Sequence, residues 1–317
     1  MGTIICLPEF NSAQQARIRE SAQGWNVIFA RPQQLDEGTF GEAEIICGWS
    51  RSAEKEALAA ESKLRWVQSW SAGVDKLPLD ALQRKGVYIT DASGVHPVQM
   101  TETVFAMMLA FTRNVHFSVR RQQSVKWDKS ATYSELRHQS LGIVGAGEIG
   151  VEVARIGKAF GMKTLGVRRS GQKQPYVDQM FDMNGMEQVL MQSDFVVNIL
   201  PLTEETQNLF REEQFALMKK TAYFINVGRG PSVHTAALTA ALQSGQIAGA
   251  GLDVTDPEPL PEGHPLWKMD NVIITPHIGG LSEHYHERAT DIFIENLQAY
   301  IQNRIPSRNV VDYDKKY

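Results

Sequence analysis

The chain has 317 residues, about twice the length of an ordinary domain, so two domains are expected. Its composition, 43% hydrophobic and 21% charged, is that of a globular protein with real cores. The net charge of −4 gives no electrostatic ground for binding nucleic acid or an anionic membrane. No apolar run is long enough to span a bilayer, no secretory leader is visible, and Cys6 and Cys47 are too few for a disulfide framework or a zinc cage. A cytoplasmic protein with no metal site is the expectation.

Short apolar runs predict strands over 3–7, 25–30, 44–48, 64–69 and 87–90, with helical patterns over 12–22, 53–60 and 79–85 between them. Such repeated βα units imply a parallel sheet with helices on both faces. A turn-rich junction, Ser93-Gly94-Val95-His96-Pro97, follows, and then 100–113, apolar on nearly every side, predicts a helix buried between two layers. A second βα series begins at Leu141, with strands predicted at 141–144, 163–167, 195–199, 222–227, 249–253 and 272–275 and helices at 185–191, 211–218 and 235–244. After Gly279-Gly280 the spacing of Ala289, Phe293, Leu297 and Ile301 predicts one helix over 281–303. The first domain lacks a closing helix and the last residues need a home. A discontinuous first domain, 1–94 with 281–317, is therefore expected, with the second, 95–280, inserted into it. The two crossings make a hinge, and ligands are expected beyond the carboxyl ends of the strands.

The stretch LGIVGAGEIG, residues 141–150, organises the second series. A buried strand is followed by Gly145, Gly147 and Gly150 at G-x-G-x-x-G spacing, then by a helix on which Ile149, Val153, Ile156 and Phe160 recur. That is the context a dinucleotide fingerprint needs. Gly145 allows the tight turn, Gly147 the approach of a pyrophosphate, and Gly150 close packing of helix on strand. The N–H groups that open the helix, from Glu148 and Ile149 onward, face the phosphates with the positive end of its dipole.

Four further constellations follow strands. An NAD-preferring site places Asp or Glu about twenty residues past the glycines. Here Arg168-Arg169-Ser170 stands there, and a guanidinium suits a 2′-phosphate; the alternative is a solvated basic turn. Asn226-Val227-Gly228-Arg229-Gly230 sets an arginine between glycines at the mouth of a sheet, placed to hold a carboxylate, although an arginine in a turn is by itself an ordinary surface residue. Asp253-Val254-Thr255-Asp256-Pro257-Glu258-Pro259 stiffens a loop around Glu258 with two prolines. Thr275-Pro276-His277-Ile278-Gly279-Gly280 puts a histidine, the usual proton donor near neutral pH, after the last strand. Each alone is weak; the arginine, glutamate and histidine after three separate strands can converge. In the first domain, Ser69-Trp70-Ser71-Ala72-Gly73-Val74-Asp75 runs from a strand toward a helix and offers backbone N–H groups to an anion. Trp49 either walls a pocket or packs in the core. His284 and His286 are read as non-ligands, and His96, His116, His138, His234 and His264 carry no assignment.

Taken together, the SAGVD loop, the buried helix around Glu102 to Leu109, GAGEIG, Leu200-Pro201-Leu202-Thr203, NVGRG, the DPEP loop and PHIGG resemble the D-isomer-specific 2-hydroxyacid dehydrogenase family over nearly the whole chain. The resemblance implies two doubly wound α/β domains: a flavodoxin-like substrate domain and an inserted Rossmann-type coenzyme domain. It also implies a homodimer formed mainly through the coenzyme domains, and a small 2-oxo or 2-hydroxy acid as substrate. By the same resemblance Arg229 holds the substrate carboxylate, His277 gives a proton to the carbonyl oxygen as hydride arrives, and Glu258 pairs with His277 and raises its proton affinity. Gly73 and Val74 contact the carboxylate, Pro201 lies by the cofactor, and Asp253 lies near the nicotinamide amide. Arg168, where an acidic residue is frequent, shifts the cofactor toward NADP over NAD and the resemblance toward the glyoxylate and hydroxypyruvate reductase branches. The expected activity is reduction of a small 2-oxo acid to the (R)-2-hydroxy acid by NADPH. The alternatives are an NAD-linked dehydrogenase of another acid, such as a phosphoglycerate-like one, and a non-catalytic dinucleotide-sensing protein like the family's corepressor relatives.

Overall fold

A computed structural model describes residues 2–74 and 76–313; Asp75 of the SAGVD loop and residues 314–317 lie outside them. The chain divides into two compact units, Met1–Val95 with Ser282–Tyr317, and His96–Leu281.

Unit 1 runs β1 (Thr3–Cys6), α1 (Ser12–Ser21), β2 (Asn26–Phe29), α2 (Thr39–Glu42), β3 (Ile45–Cys47), α3 (Glu54–Ala57), β4 (Trp66–Gln68), α4 (Leu79–Arg84) and β5 (Tyr88–Thr90). The strands are all parallel, in the order β2-β1-β3-β4-β5, the flavodoxin-like arrangement. The α1 helix starts on a capping box, in which the Asn11 side chain accepts from Gln14 N at 2.9 Å and Gln14 Oε1 accepts from Asn11 N at 3.0 Å. The unit's last helix, Tyr285–Asn303 (the eleventh of the chain, α11), packs beside α1, and its Phe293 and Tyr300 lie against the ring of Trp66 at 5.6 and 5.3 Å between centroids. The expected helix over 281–303 begins only at Tyr285. The preceding residues form a turn in which Ser282 Oγ accepts from His284 N. The helix expected over 53–60 is one 3₁₀ turn followed by one α turn, because it has too few apolar anchors to propagate.

Unit 2 opens with α5 (Pro97–Thr112) and α6 (Val115–Gln123) and continues β6 (Ser140–Val144), α7 (Glu148–Ala159), β7 (Lys163–Val167), β8 (Gln179–Phe181), α8 (Met186–Gln192), β9 (Phe195–Asn198), α9 (Glu212–Leu217), β10 (Tyr223–Asn226), α10 (Thr235–Gln243), β11 (Gly249–Leu252) and β12 (Val272–Ile274). Its seven strands are parallel, in the order β12-β11-β10-β9-β6-β7-β8. Strand order therefore reverses between β6 and β9, the switch point at which such sheets take a ligand. Two apolar clusters line the sheet, one holding Val144, Val196, Phe224 and Leu252, the other Ile143, Phe195, Val197 and Ile225. Alternate residues of one strand thus enter opposite clusters, as a sheet covered on both faces requires. The α5 helix packs on α7 and on β10 and β11, but it is not enclosed on every side as its composition suggests: Glu102 and Ala106 are exposed. Two elements have no counterpart in the expected series, β8 and α6. Both are short and owe their form to a neighbour: β8 pairs with β7, and α6 packs on α5.

Candidate active site

The glycine turn sits at the end of β6, on the switch point. Gly145 has φ +103, which L residues rarely adopt, and a Cβ there would lie 3.0 Å from the carbonyl carbon of Ile199. A Cβ on Gly150 would come within 2.7 Å of the Gly145 oxygen, whereas one on Gly147 would meet nothing within 4 Å. The first and third glycines are therefore required by the protein itself. The second has open space before it, which is what an approaching phosphate needs. Gly147 is also the N-cap of α7 and carries no side chain to cap it, so the N–H groups of Glu148, Ile149 and Gly150 have no acceptor within the helix. A pyrophosphate fits this end by both geometry and dipole.

Beside the turn, Pro201 follows β9 in a loop braced by Thr206, whose Oγ1 donates to the Pro201 carbonyl at 2.7 Å and accepts from Thr203 N at 2.8 Å. On the other side of β6, β7 ends in Arg168, Arg169 and Ser170, all exposed. Arg168 N donates to Phe181 O at 3.0 Å, so β8 holds the turn in place.

Arg229, Asp253 and His277 follow β10, β11 and β12, three neighbouring strands that all point the same way. His277 Nδ1 lies 2.7 Å from Glu258 Oε1, so the histidine and the glutamate of two loops meet directly. His277 has φ +53, a conformation costing an L residue of order 1–2 kcal/mol. The buried Asp253 offsets it. Its main-chain oxygen accepts from His277 N at 2.8 Å, and its carboxylate accepts from Thr275 Oγ1 at 2.6 Å and from Ile278 N and Gly279 N at 2.9 Å each. Asp253 thus has the work of holding the histidine loop. Glu258 lies between Pro257 and Pro259, whose preceding peptide bonds are both cis. Arg229 is exposed, and one of its guanidinium nitrogens donates to Gly228 O at 2.9 Å. Its turn abuts the glutamate loop: a Cβ on Gly230 would stand 1.8 Å from Thr255 O.

Within unit 1 the candidates lie on and beside the unit's own core. Gly73 N donates to Ser71 Oγ at 3.3 Å, and Val74 is buried in the core around Val67 and Leu82. α4 begins only at Leu79, so the loop is not a helix N-terminus. Trp49 packs on the same core, with its indole Nε1 buried and without a hydrogen-bond partner among the described residues. Among the described residues no group of three His, Cys, Asp or Glu side chains is placed to hold a metal, and no helix is long and apolar enough to cross a membrane.

Two features escape sequence reasoning. His96, the N-cap of α5, lies against Gly280, where a Cβ would meet its ring at 3.1 Å. Burial, and then the charge of Arg229, lower its pKa. Its one local signal, a histidine before Pro97, reads as a helix start. The second is a buried polar cluster of Asn198, Asn226 and Ser232; two apolar strand runs each ending in asparagine were its only trace.

The fold and the glycine turn define a dinucleotide-binding α/β protein. The family model of the "D-isomer specific 2-hydroxyacid dehydrogenase, NAD binding domain" matches residues 105–279. The chain is 36% identical over 297 residues to a glyoxylate/hydroxypyruvate reductase B of Escherichia fergusonii, covering 91% of each. Among solved structures, a D-isomer specific 2-hydroxyacid dehydrogenase family protein of Aeromonas salmonicida is 35% identical, with a TM-score of 0.84 and 99% of each chain covered. A D-isomer specific 2-hydroxyacid dehydrogenase of Xanthobacter autotrophicus in complex with NADPH and MES is 29% identical, with a TM-score of 0.83, covering 100% of this chain and 99% of that one. The chain belongs to the D-isomer specific 2-hydroxyacid dehydrogenase family. It is an enzyme, an NAD(P)-dependent oxidoreductase that reduces a 2-oxo acid with a nicotinamide dinucleotide.

Proposed function

We propose that this enzyme reduces small 2-oxo acids, glyoxylate and hydroxypyruvate foremost, to the (R)-2-hydroxy acid, with NADPH preferred over NADH. The observation that carries the reading is the 2.7 Å contact between His277 and Glu258 beside the Arg229 turn. The dinucleotide, when bound, supplies the hydride that adds to the carbonyl carbon. Arg229 pairs its guanidinium with the substrate carboxylate, a bidentate match that also sets the direction of the carbonyl. His277 gives its Nε2 proton to the carbonyl oxygen as that oxygen takes up negative charge. Glu258, on Nδ1, fixes ring and tautomer and stabilises the charged ring that precedes transfer. Gly73, Val74 and Trp49 are the unit 1 candidates for substrate contact.

The glycines 145, 147 and 150, the N–H groups of Glu148 and Ile149, and Pro201 hold the dinucleotide in this reading, and Asp253 serves it through the histidine loop. Arg168, with Arg169 and Ser170, takes the 2′-phosphate. NADPH bound to the Xanthobacter relative supports this choice, and the names of the curated reductases support the choice of acids. The reading includes a homodimer, whose second copy covers Val115, Val119, Val125, Trp127 and Tyr133, exposed from 48% to 94%. A cytoplasmic location goes with it, since Cys6 and Cys47 are free and buried. The deciding experiment is initial rates for glyoxylate, hydroxypyruvate, pyruvate and bulkier 2-oxo acids with both reduced dinucleotides. No turnover of either named acid, or a preference for NADH, overturns the corresponding half.

A further inference from the structure

The β9 and β10 strands each close an apolar run with an asparagine, Asn198 and Asn226, and both side chains are buried, 0% and 1% exposed. Asn198 Nδ2 donates to Asn226 Oδ1 at 3.0 Å and to Ser232 Oγ at 2.8 Å, while its Oδ1 accepts from Leu200 N at 3.3 Å. Asn226 Oδ1 accepts also from Gly228 N at 3.1 Å, and its Nδ2 donates to Arg229 O at 3.3 Å. Ser232 Oγ donates to that same carbonyl at 2.6 Å. Two amide N–H groups must meet oxygens here, so the orientation of both carboxamides is determined by the network. The backbone is packed equally tightly, since a Cβ on Gly228 would lie 2.7 Å from Leu200 O. A buried network with its groups paired rigidifies what it binds. What it binds is the main chain of Arg229 on one side and the start of the Pro201 loop on the other.

We propose that Asn198, Asn226 and Ser232 are positioning residues for acid binding: a clasp that fixes the Arg229 turn so that its guanidinium is presented in one direction. Asn198 ties that turn to the loop on the dinucleotide side, so both reactants are located from one buried carboxamide. The proposal rests on the reading of Arg229 as the acid-binding residue. A purely structural role, sealing the strand ends, predicts a loss of stability and no particular link to Arg229.

A double-mutant cycle separates these. Ser232→Ala removes the two hydrogen bonds of Oγ with little change of volume. It is expected to raise KM for glyoxylate about tenfold, the worth of about one buried hydrogen bond, with a smaller fall in kcat and an NADPH Kd within about twofold of wild type. In an Arg229→Ala background the same substitution is expected to change kcat/KM by less than about twofold, because the group it orients is gone. Asn198→Asp, which keeps the acceptor for Leu200 but sets a carboxylate against Asn226 Oδ1, is expected to show the same dependence on Arg229; if it does not fold, the serine cycle decides. Equal losses in both backgrounds overturn the clasp, as does an unchanged KM in Ser232→Ala when Arg229→Ala raises it; in either case the role of Arg229 stands. If Arg229→Ala leaves KM for glyoxylate unchanged, that role and the clasp both fall.

Discussion

The imidazole of His277 meets the carboxylate of Glu258 at 2.7 Å while its main-chain N–H is held by the carbonyl of Asp253, so one residue is fixed at both ends by two different acids. His277→Ala is expected to lower kcat by about 10²- to 10⁴-fold, the usual worth of a positioned proton donor, and to leave the dinucleotide Kd within about twofold. Steady-state rates and fluorescence titration with NADPH measure the two. Near-normal turnover in that variant would remove His277 from the chemistry.

Cofactor choice is expected to follow Arg168. The wild-type enzyme should show a higher kcat/KM with NADPH than with NADH, and Arg168→Asp should reduce that ratio about ten- to hundredfold, the loss of one charge-assisted contact. A wild-type preference for NADH shows instead that the exposed arginines serve only as a basic turn.

The fingerprint glycines are expected to separate by what they touch. Gly147→Ala, facing open space at φ −86, should leave the melting temperature unchanged and weaken dinucleotide binding at least tenfold. Gly150→Ala, whose Cβ would stand 2.7 Å from Gly145 O, should cost about 1–3 kcal/mol and lower the melting temperature by several degrees before any ligand is added. Thermal melts with and without NADPH check both; equal loss of stability in the two variants contradicts the assignment.

His96 supplies a pH test. Burial and the charge of Arg229 depress its pKa below the ordinary 6.5, so the unfolded chain binds the proton first as pH falls through 6.5. The folded state is therefore penalised below that pH, and stability from this group rises again as pH climbs back to 6.5 and is constant above it. His96→Gln should make the fall in melting temperature between about pH 6.5 and 5 shallower than in the wild type. Parallel curves contradict the assigned direction.

Much of what the chain builds from local pattern was legible in the sequence, the helix expected over 53–60 being an exception. The five strands of unit 1, the fingerprint turn and the strand ends carrying Arg229, Asp253 and His277 come from apolar runs and glycine spacing alone. What escaped is tertiary in origin. β8 exists because β7 offers it a partner, and the three residues Gln179-Met180-Phe181 are too short a run to signal a strand by themselves. The pairing of His277 with Glu258 was expected from resemblance, whereas the bracing by Asp253 was not, since a left-handed histidine has no signature in its neighbours. Asn198 and Ser232 meet across thirty-odd residues, and nothing in either flanking segment announces the other.

The place of α11 at the end of the chain has a consequence for how the molecule is made. Unit 2 is one uninterrupted stretch, His96–Leu281, and can assemble its whole sheet as soon as that stretch exists. Unit 1 has all five strands in hand by Thr90, yet Trp66 waits for Phe293 and Tyr300, and the bridge from Thr90 waits for Val310. One face of its β-sheet therefore has α1 but not α11 for cover while nearly two hundred residues are synthesised, and the nascent enzyme completes the older half of itself last.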